Sequence, residues 1–596
     1  MLDNYDDLLG ASPVAPPPVA ELVPAGAGGE SAIGAYEGAT RFNHQLRDWT
    51  PTLGSADLDI IPEKVIGDAR ARDMLRNDAF VQGGASLHKD NIVGAQFVLN
   101  AKPSSLALFG AVDEEWEAAF QEEVEELFHL CADSPDNLFD AARINSFTEM
   151  VRLAVGINVM GGEILATVEW RNNDGRPFST AIQMVDPDRL SMPMMPYALR
   201  MDPNIRGGIR KDNYGVPLSY FIKNTHPNDL KVPFQNPMET WTWTEVPARK
   251  PWGRLQVIHI FSQMRAAQTR GVSAMVAALK AMHITHKFRD VTLQNAVTQA
   301  LYAAAITSDL DTEAVFQRLG AGSTADDYQA AISNYMRGYY GVIGEFVGNS
   351  KNLHVDGVRI PHLPPGTKLD IITPGKGGPL GMEFEQSLLR YIAATLNVSY
   401  EQLSRDYTQT NYSSARAAMT ETWKAMQAIK KEGADRFATQ IYRLWLEEII
   451  GRDMLKTFPA SKSAMLYGNG DGTRQMPLNM KWEALSRCDW IGASRGQIDE
   501  LKETQAAVLR VQNGLSTYEA EIARLGGDWR KMFRQMARER KMAKELELPF
   551  AMDVPTDTTN QMNAASGAPR KKNGGSAENL FLDAPADEPE ERRPNE

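Results

Sequence analysis

The chain is poor in the residues that most enzyme chemistries require. Cys131 and Cys488 are the two cysteines in 596 residues, too few for a disulfide framework and in keeping with a reducing compartment. Both are expected to be ordinary thiols. The nine histidines (44, 88, 129, 226, 259, 283, 286, 354 and 362) all precede Ser494. Their order argues against the one hydrolase motif present, Gly492-Ala493-Ser494-Arg495-Gly496, because a nucleophile elbow needs a buried strand before it and an acid and a histidine after it. The preceding Arg487 to Ile491 reads as a poor buried strand, and Ser494 is expected to cap a helix starting near Gly496. Phosphate-loop chemistry is missing too: Pro374-Gly375-Lys376-Gly377-Gly378 has neither the following Ser/Thr nor the glycine five residues earlier, so no ATP-driven motor is encoded.

Long apolar runs are lacking. Leu153 to Val168 is broken by Asn158, Gly161-Gly162 and Glu163 and falls short of a membrane span, so no membrane partner is expected. The acidic opening Met-Leu-Asp-Asn-Tyr-Asp-Asp lacks the positive charge of an export signal. There is no repeat of fixed period, no long basic run and no compact nucleic-acid-binding motif.

Candidate metal ligands do not converge in the sequence. His283 and His286 share a helix face without HExxH or a cysteine partner. Asp57/Asp59, Asp186/Asp188 and Asp309/Asp311 have the spacing of two-metal nucleases and nothing more. No catalytic residue, metal or cofactor is assigned.

Charge is present but unevenly placed. Lys and Arg number 63 against 76 Asp and Glu, a formal −13. An acidic excess argues against a protein that clings to DNA through a broad basic face, since such binding works by displacing counterions from phosphates. Yet residues 1–40 hold six acids and no base, and residues 551–596 hold nine acids and five bases. The body from 41 to 550 therefore carries only −3. Both ends are rich in Pro and Gly and are expected as disordered tails; within the second, Asn579-Leu580-Phe581-Leu582 forms a small apolar island. Scattered cations near the central helices, Lys280, Lys287, Arg289, Arg405, Arg416 and Lys424, are the candidate phosphate contacts.

Periodicity gives an α+β chain of several domains. Helices are expected over 63–80, 114–131 and 146–160. Strands follow over 164–170 and 178–185, flanking the turn Asn172-Asn173-Asp174-Gly175, and over 218–223, 240–246 and 255–261, so a mixed domain extends to about residue 262. Further helices are expected over 272–308 and 382–396, with a strand over 367–372. The longest periodic stretch covers 414–450, with a bend at Gly433. Three more helices, in 497–512, 517–525 and 528–546, close the ordered part.

Several blocks together resemble the lambda family of tailed-phage portal proteins. These are Trp49, Pro51, Gly54-Ser55-Ala56-Asp57, Arg70-Ala71-Arg72-Asp73, Arg76-Asn77 and Asn91-Ile92-Val93-Gly94. Further along come His259-Ile260-Phe261, Arg265, Gln268 and Thr269-Arg270-Gly271. The closest blocks are Leu389 to Ala393, Val398 to Ser404 and Asn411 to Arg416. The proline associated with the family at position 266 is absent, and the acidic tails lie outside the shared pattern. The resemblance implies a ring, usually of twelve subunits, at one capsid vertex, through which double-stranded DNA enters and leaves. It implies a virion location, with assembly in the host cytoplasm. It also implies partners: other copies of the chain, the terminase large subunit, major capsid and scaffold proteins, and a head-tail adaptor protein. By the same resemblance the wing is 41–262, the first stem helix 263–308 and the clip 309–366. A strand and second stem helix occupy 367–398, the tunnel-loop region 399–415, the long helix and its return to the wing 416–488, and a helical crown 489–550. Arg405 and Arg416, near the tunnel loop, become the leading DNA contacts. A capsid scaffold or adaptor without a channel, and a hidden serine hydrolase or nuclease, remain the alternative readings.

Overall fold

In the computed structural model the described residues run from 45 to 547, apart from 194–201, 227–241, 303–352, 361–381 and 463–479 (Arg337 and Leu466 excepted) and a few single positions. The expected strand over 367–372, most of the segment 309–356 and both acidic tails lie outside them. The chain divides into two compact units, residues 1–493 and 494–596.

The first unit opens with α1 (Ala56–Asn77) and α2 (Ala79–Ile92), where a single helix over 63–80 is expected. Asp78 makes the break: its extended backbone donates its N–H to the Met74 carbonyl, and its carboxylate accepts from Phe80 N and Val81 N. One residue thus ends one helix and caps the next. Pro62 lies in the second turn of α1, where its missing N–H removes the intrahelical bond to the Leu58 carbonyl. Then follow β1 (Val98–Ala101), α3 (Ser105–Phe109), α4 (Glu114–Ala132) and α5 (Phe147–Gly161). The last two match expectation; α5 starts at a capping box between Ser146 and Glu149 and ends at Gly162, whose φ is +74°.

Strands β2 (Glu163–Trp170) and β3 (Thr180–Met184) form the expected antiparallel pair, with Val168 opposite Ile182. The chain continues through β4 (Ile205–Arg206), β5 (Ile209–Lys211), β6 (Pro217–Lys223), β7 (Trp243–Pro247) and β8 (Val257–Phe261). One sheet has the order β3-β2-β8 and the other β4-β5-β6-β7. Because side chains alternate along a strand, β2 serves two cores: Ile164, Ala166 and Val168 pack with the helices, while Leu165 packs with Val185, Ile209, Tyr220 and Val257.

After β8 come α6 (Leu279–Tyr302), the short pair β9 (Leu353–Val355) and β10 (Val358–Ile360), α7 (Met382–Thr395), α8 (Tyr400–Ser404) and α9 (Tyr412–Ile429). A π-helical turn, Lys430–Ala434, joins α9 to α10 (Asp435–Gly451), at the position where Gly433 marks the expected bend. The extra residue of a π-turn lets the buried Lys430 ammonium reach Asp435 (2.6 Å) and the Trp490 carbonyl (2.8 Å) above the Phe97 ring. The unit closes with α11 (Met480–Leu485) and β11 (Cys488–Ile491). Arg487 to Ile491 reads as a poor buried strand, and only Trp490 of β11 is buried; the strand forms by pairing antiparallel with β1, Trp490 opposite Leu99. The partner supplies what local pattern lacks.

The main core runs from Ala71 to Trp490, so helices beyond residue 262 share it with those before. At its centre Phe128 meets Phe139, Phe147, Tyr442, Trp445 and Trp490, with ring centroids 5.0–5.9 Å apart, distances typical of favourable aromatic pairs. Burial pushes both cysteine thiols up to about 11, which keeps them protonated and unreactive at neutral pH.

The second unit contains α12 (Glu500–Gln512), α13 (Tyr518–Arg524) and α14 (Trp529–Glu545). Asp499, not Ser494, caps α12; the cap expectation at Ser494 is corrected, because the helix begins a turn later. Arg510 on α12 grips Glu521 on α13 with two hydrogen bonds of 2.9 and 2.8 Å. That hydrogen bonding brings the Glu521 carboxyl down to about 2.

Phe128→Ala should remove roughly 3–5 kcal/mol of stability, read as a lower denaturant midpoint. A loss below about 1 kcal/mol would show that the aromatic cluster is not the organising core.

Candidate nucleic-acid interface

The six candidate cations fall into three settings. Arg405 ends α8 in the left-handed region (φ 57°) and is exposed. Next to it the Thr408 hydroxyl and N–H hold the Asp406 carboxyl below its ordinary value, so an acid accompanies this cation. Arg416 and Lys424 lie on α9, whose first turn is capped by Asn411 accepting from Ser414 N at 2.8 Å. Together with Ser413, Ala417, Thr420 and Glu421 they border an open groove of about 700 Å³. Their spacing, three and four residues apart, puts them on one helix face. The opposite face holds α9 in place: buried Thr422 donates to Gln402 Oε1 on α8 at 2.9 Å, and Met426 enters the core.

Lys280 and Lys287 on α6 are seven residues apart and exposed, hence on one side of that helix. Neither makes an ion pair among the described residues. Arg289, two residues on and so on the other side of the helix, differs: its Nε donates to Glu385 Oε1 at 2.6 Å, its Nη1 lies 3.6 Å from Asp78 Oδ2, and its guanidinium stacks over Phe80. Its charge is met within the chain, where it links α6 and α7 to the α1–α2 junction.

The groups considered for catalysis or metal binding have other work. Asp57 is buried and accepts from Thr269 N (2.8 Å) and Thr269 Oγ1 (2.6 Å), whereas Asp59 pairs with Arg265 at the surface. Their shared spacing brings no shared site. Asp309 and Asp311 lie outside the described residues. His286 faces Asp290 at 3.6 Å. Asp186, Asp188 and His226 do gather within metal-binding reach, but Arg72 already occupies the gap, pairing with Asp188 and, at 3.1 Å, with Asp186. A guanidinium there supplies the positive charge that a cation would bring.

The residue that sequence pattern misses is Glu163. It begins β2 with no exposed surface and accepts from Arg270 Nε (3.0 Å) and Nη2 (2.5 Å) and from Gly271 N (2.9 Å). His259 Nε2 lies 3.1 Å away and Lys64 Nζ 3.3 Å. Arg270 spends its remaining N–H groups on the carbonyls of Leu190, Gly207 and Pro187, and Lys64 reaches Asp68 and the carbonyls of Gly161 and Gly271. Burial alone would raise the Glu163 carboxyl; Arg270, with His259 and Lys64, instead holds it well below the usual carboxylate range. Asp68, in the same cluster, is raised by burial despite Lys64. Gly162 and Gly271 pass back to back: a Cβ on Gly162 would sit 2.1 Å from the Val272 carbonyl carbon. The signals in the sequence are an acid, Glu163, inside an otherwise apolar stretch and a guanidinium, Arg270, inside the Thr269-Arg270-Gly271 block.

Glu163→Gln should cost about 3–5 kcal/mol at pH 7, because Arg270 is left buried without its counter-charge. The Glu163 carboxyl titrates below its ordinary 4.5 when folded. Its stabilisation is therefore complete above that value and lost as pH falls towards the folded pKa. The difference in stability between the native chain and the variant should shrink below pH ~4.5; a difference independent of pH would mean that Glu163 is not ionised in the fold.

A family model described as "Phage portal protein, lambda family" matches residues 42–430. The chain is 35% identical over 507 residues to portal protein B of Escherichia phage lambda, spanning 85% of this chain and 89% of that protein. It is 35% identical over 510 residues to the portal protein of Escherichia phage N15, again over 85% and 89%. Among solved structures, one similar chain comes from the virion of a native gene transfer agent particle, with TM-score 0.34 and 11% identity, covering 78% of this chain and 99% of that one.

Proposed function

The chain belongs to the lambda family of phage portal proteins, a structural and non-enzymatic family, and from that premise we propose that it assembles into a closed ring at one capsid vertex through which double-stranded DNA is packaged and later ejected. Twelve subunits is the family's usual number. The observation that carries this reading is the extent of the kinship: 35% identity to two portal proteins over 85% of the chain.

In this reading residues 41–262 are wing, α6 and α7 the stem pair, 309–366 the clip, and the helices of 489–550 the crown. The loop between α8 and α9 lines the tunnel. The terminase large subunit docks on the ring during packaging, a head-tail adaptor afterwards, and capsid and scaffold proteins surround it. Arg405, Arg416 and Lys424, with Lys280 and Lys287, make transient phosphate contacts; Arg289 is left out because Glu385 and Asp78 already engage it.

Charge magnitudes support a conduit over a clamp. The α9 groove has two cations and one acid, Glu421, and Asp406 stands beside Arg405. Each neutralised phosphate strengthens a hold that translocation has to break, so sparse, partly offset cations suit passing DNA.

Negative-stain microscopy of the purified protein should show closed rings with a central hole; monomers or filaments would refute the ring. Once rings are seen, Arg405→Ala/Arg416→Ala/Lys424→Ala should leave them intact while shortening or destabilising the packaged DNA. Unchanged packaging and retention would remove these residues from the DNA path.

A further inference from the structure

Helix α14 carries a surface that the conduit reading does not use. It holds seven Lys and Arg against two Glu. Trp529 and Phe533 make ring contacts on one side, Phe533 with Tyr518 of α13. On the remaining circumference Lys531, Arg538 and Lys541 are exposed, and their spacing of seven and three places them along one stripe. Met542, one turn beyond Arg538, is 62% exposed, and Leu546, one turn further, is also 62% exposed. Met532 is open as well. Cations bordered by long apolar side chains are a mixed surface. Duplex DNA would engage the cations and leave the methionines and leucine in water, whereas an acidic peptide with an apolar centre satisfies both.

The same chain contains such a peptide. Residues 573–591 hold six acids and no base, and Glu578 and Asp583 enclose Asn579-Leu580-Phe581-Leu582. About thirty residues separate it from the end of α14, enough at ~3.3 Å per residue to reach any point on that helix or on a neighbouring copy. The covalent link raises its local concentration to the order of millimolar, so a weak site would still be filled. Both partners belong to the second compact unit.

We infer that residues 578–591 dock on α14, with Leu580, Phe581 and Leu582 against Met532, Met542 and Leu546 and the flanking acids against Lys531, Arg538 and Lys541. The inference does not depend on ring formation or on a DNA channel.

The test uses the full chain with a photo-crosslinking phenylalanine analogue at position 581, irradiated and mapped by peptide mass spectrometry. The expected crosslinks fall within residues 529–546, of the same or another copy. Lys531→Glu/Arg538→Glu/Lys541→Glu should lower their yield about tenfold. Glu578→Lys/Asp583→Lys/Asp587→Lys combined with that reversal should restore it, which a merely misfolded helix would not allow. Crosslinks mapping elsewhere, a yield indifferent to the charge reversal, or no restoration would each overturn the proposal.

Discussion

Glu163 is an anion with no water around it, and much of the first unit is arranged to make that tolerable. Moving a carboxylate out of water costs several kcal/mol even after the protein relaxes, and the cost is offset only when charge and hydrogen bonds are supplied together. Arg270 supplies both, and the price is that Arg270 must itself be satisfied. All five of its N–H groups are used, on Glu163 and on three carbonyls from the turn after β3 and the loop between β4 and β5. Lys64 brings α1 to the same point. The junction therefore joins the helical layer, both sheets and the segment leading into α6.

Such a junction also fixes register. Sliding β2 by one residue would turn Glu163 towards the helical core, in the place Ile164, Ala166 and Val168 now line, send those three to the opposite face, and separate Glu163 from its guanidinium. An apolar residue at 163 would impose no comparable penalty on slippage. The charge therefore selects one alignment among several that burial alone would accept. The back-to-back glycines serve the same end, since only bare backbone lets the segment 271–272 pass Gly162 at contact distance.

How much of this was legible beforehand depends on the range of the interaction. Helices α4 and α5 follow from apolar spacing and end capping, which are local, and the β2–β3 hairpin follows from alternation and its turn. What failed was decided at long range or by one residue's double role. The strand β11 pairs with a segment almost four hundred residues earlier, and Asp78 divides a periodic stretch by capping in both directions. The short β4 and β5 are too brief for any pattern. Charge and position in the chain single out six candidate cations, but composition cannot tell that Arg289 is matched within the fold while Arg416 and Lys424 border an open groove.

The blocks that carried the family resemblance acquire a physical meaning from the same junction. Asp57 receives Thr269; Arg270 and Gly271 bind Glu163; Arg265 holds Asp59. Arg72 closes the Asp186–Asp188 pair, and Arg152 donates to the carbonyl of Gly94, the last residue of another block, at 2.7 Å. Blocks far apart in the chain thus meet as partners, Thr269 with Asp57 in the interior and Arg265 with Asp59 at the surface. They identify how the first unit is built. Inside the first unit the ions are tightly paired, Glu163 with Arg270 and Lys64, whereas Lys280, Lys287, Arg405, Arg416 and Lys424 on or beside α6, α8 and α9 are exposed, so buried and surface charge are carried by different residues.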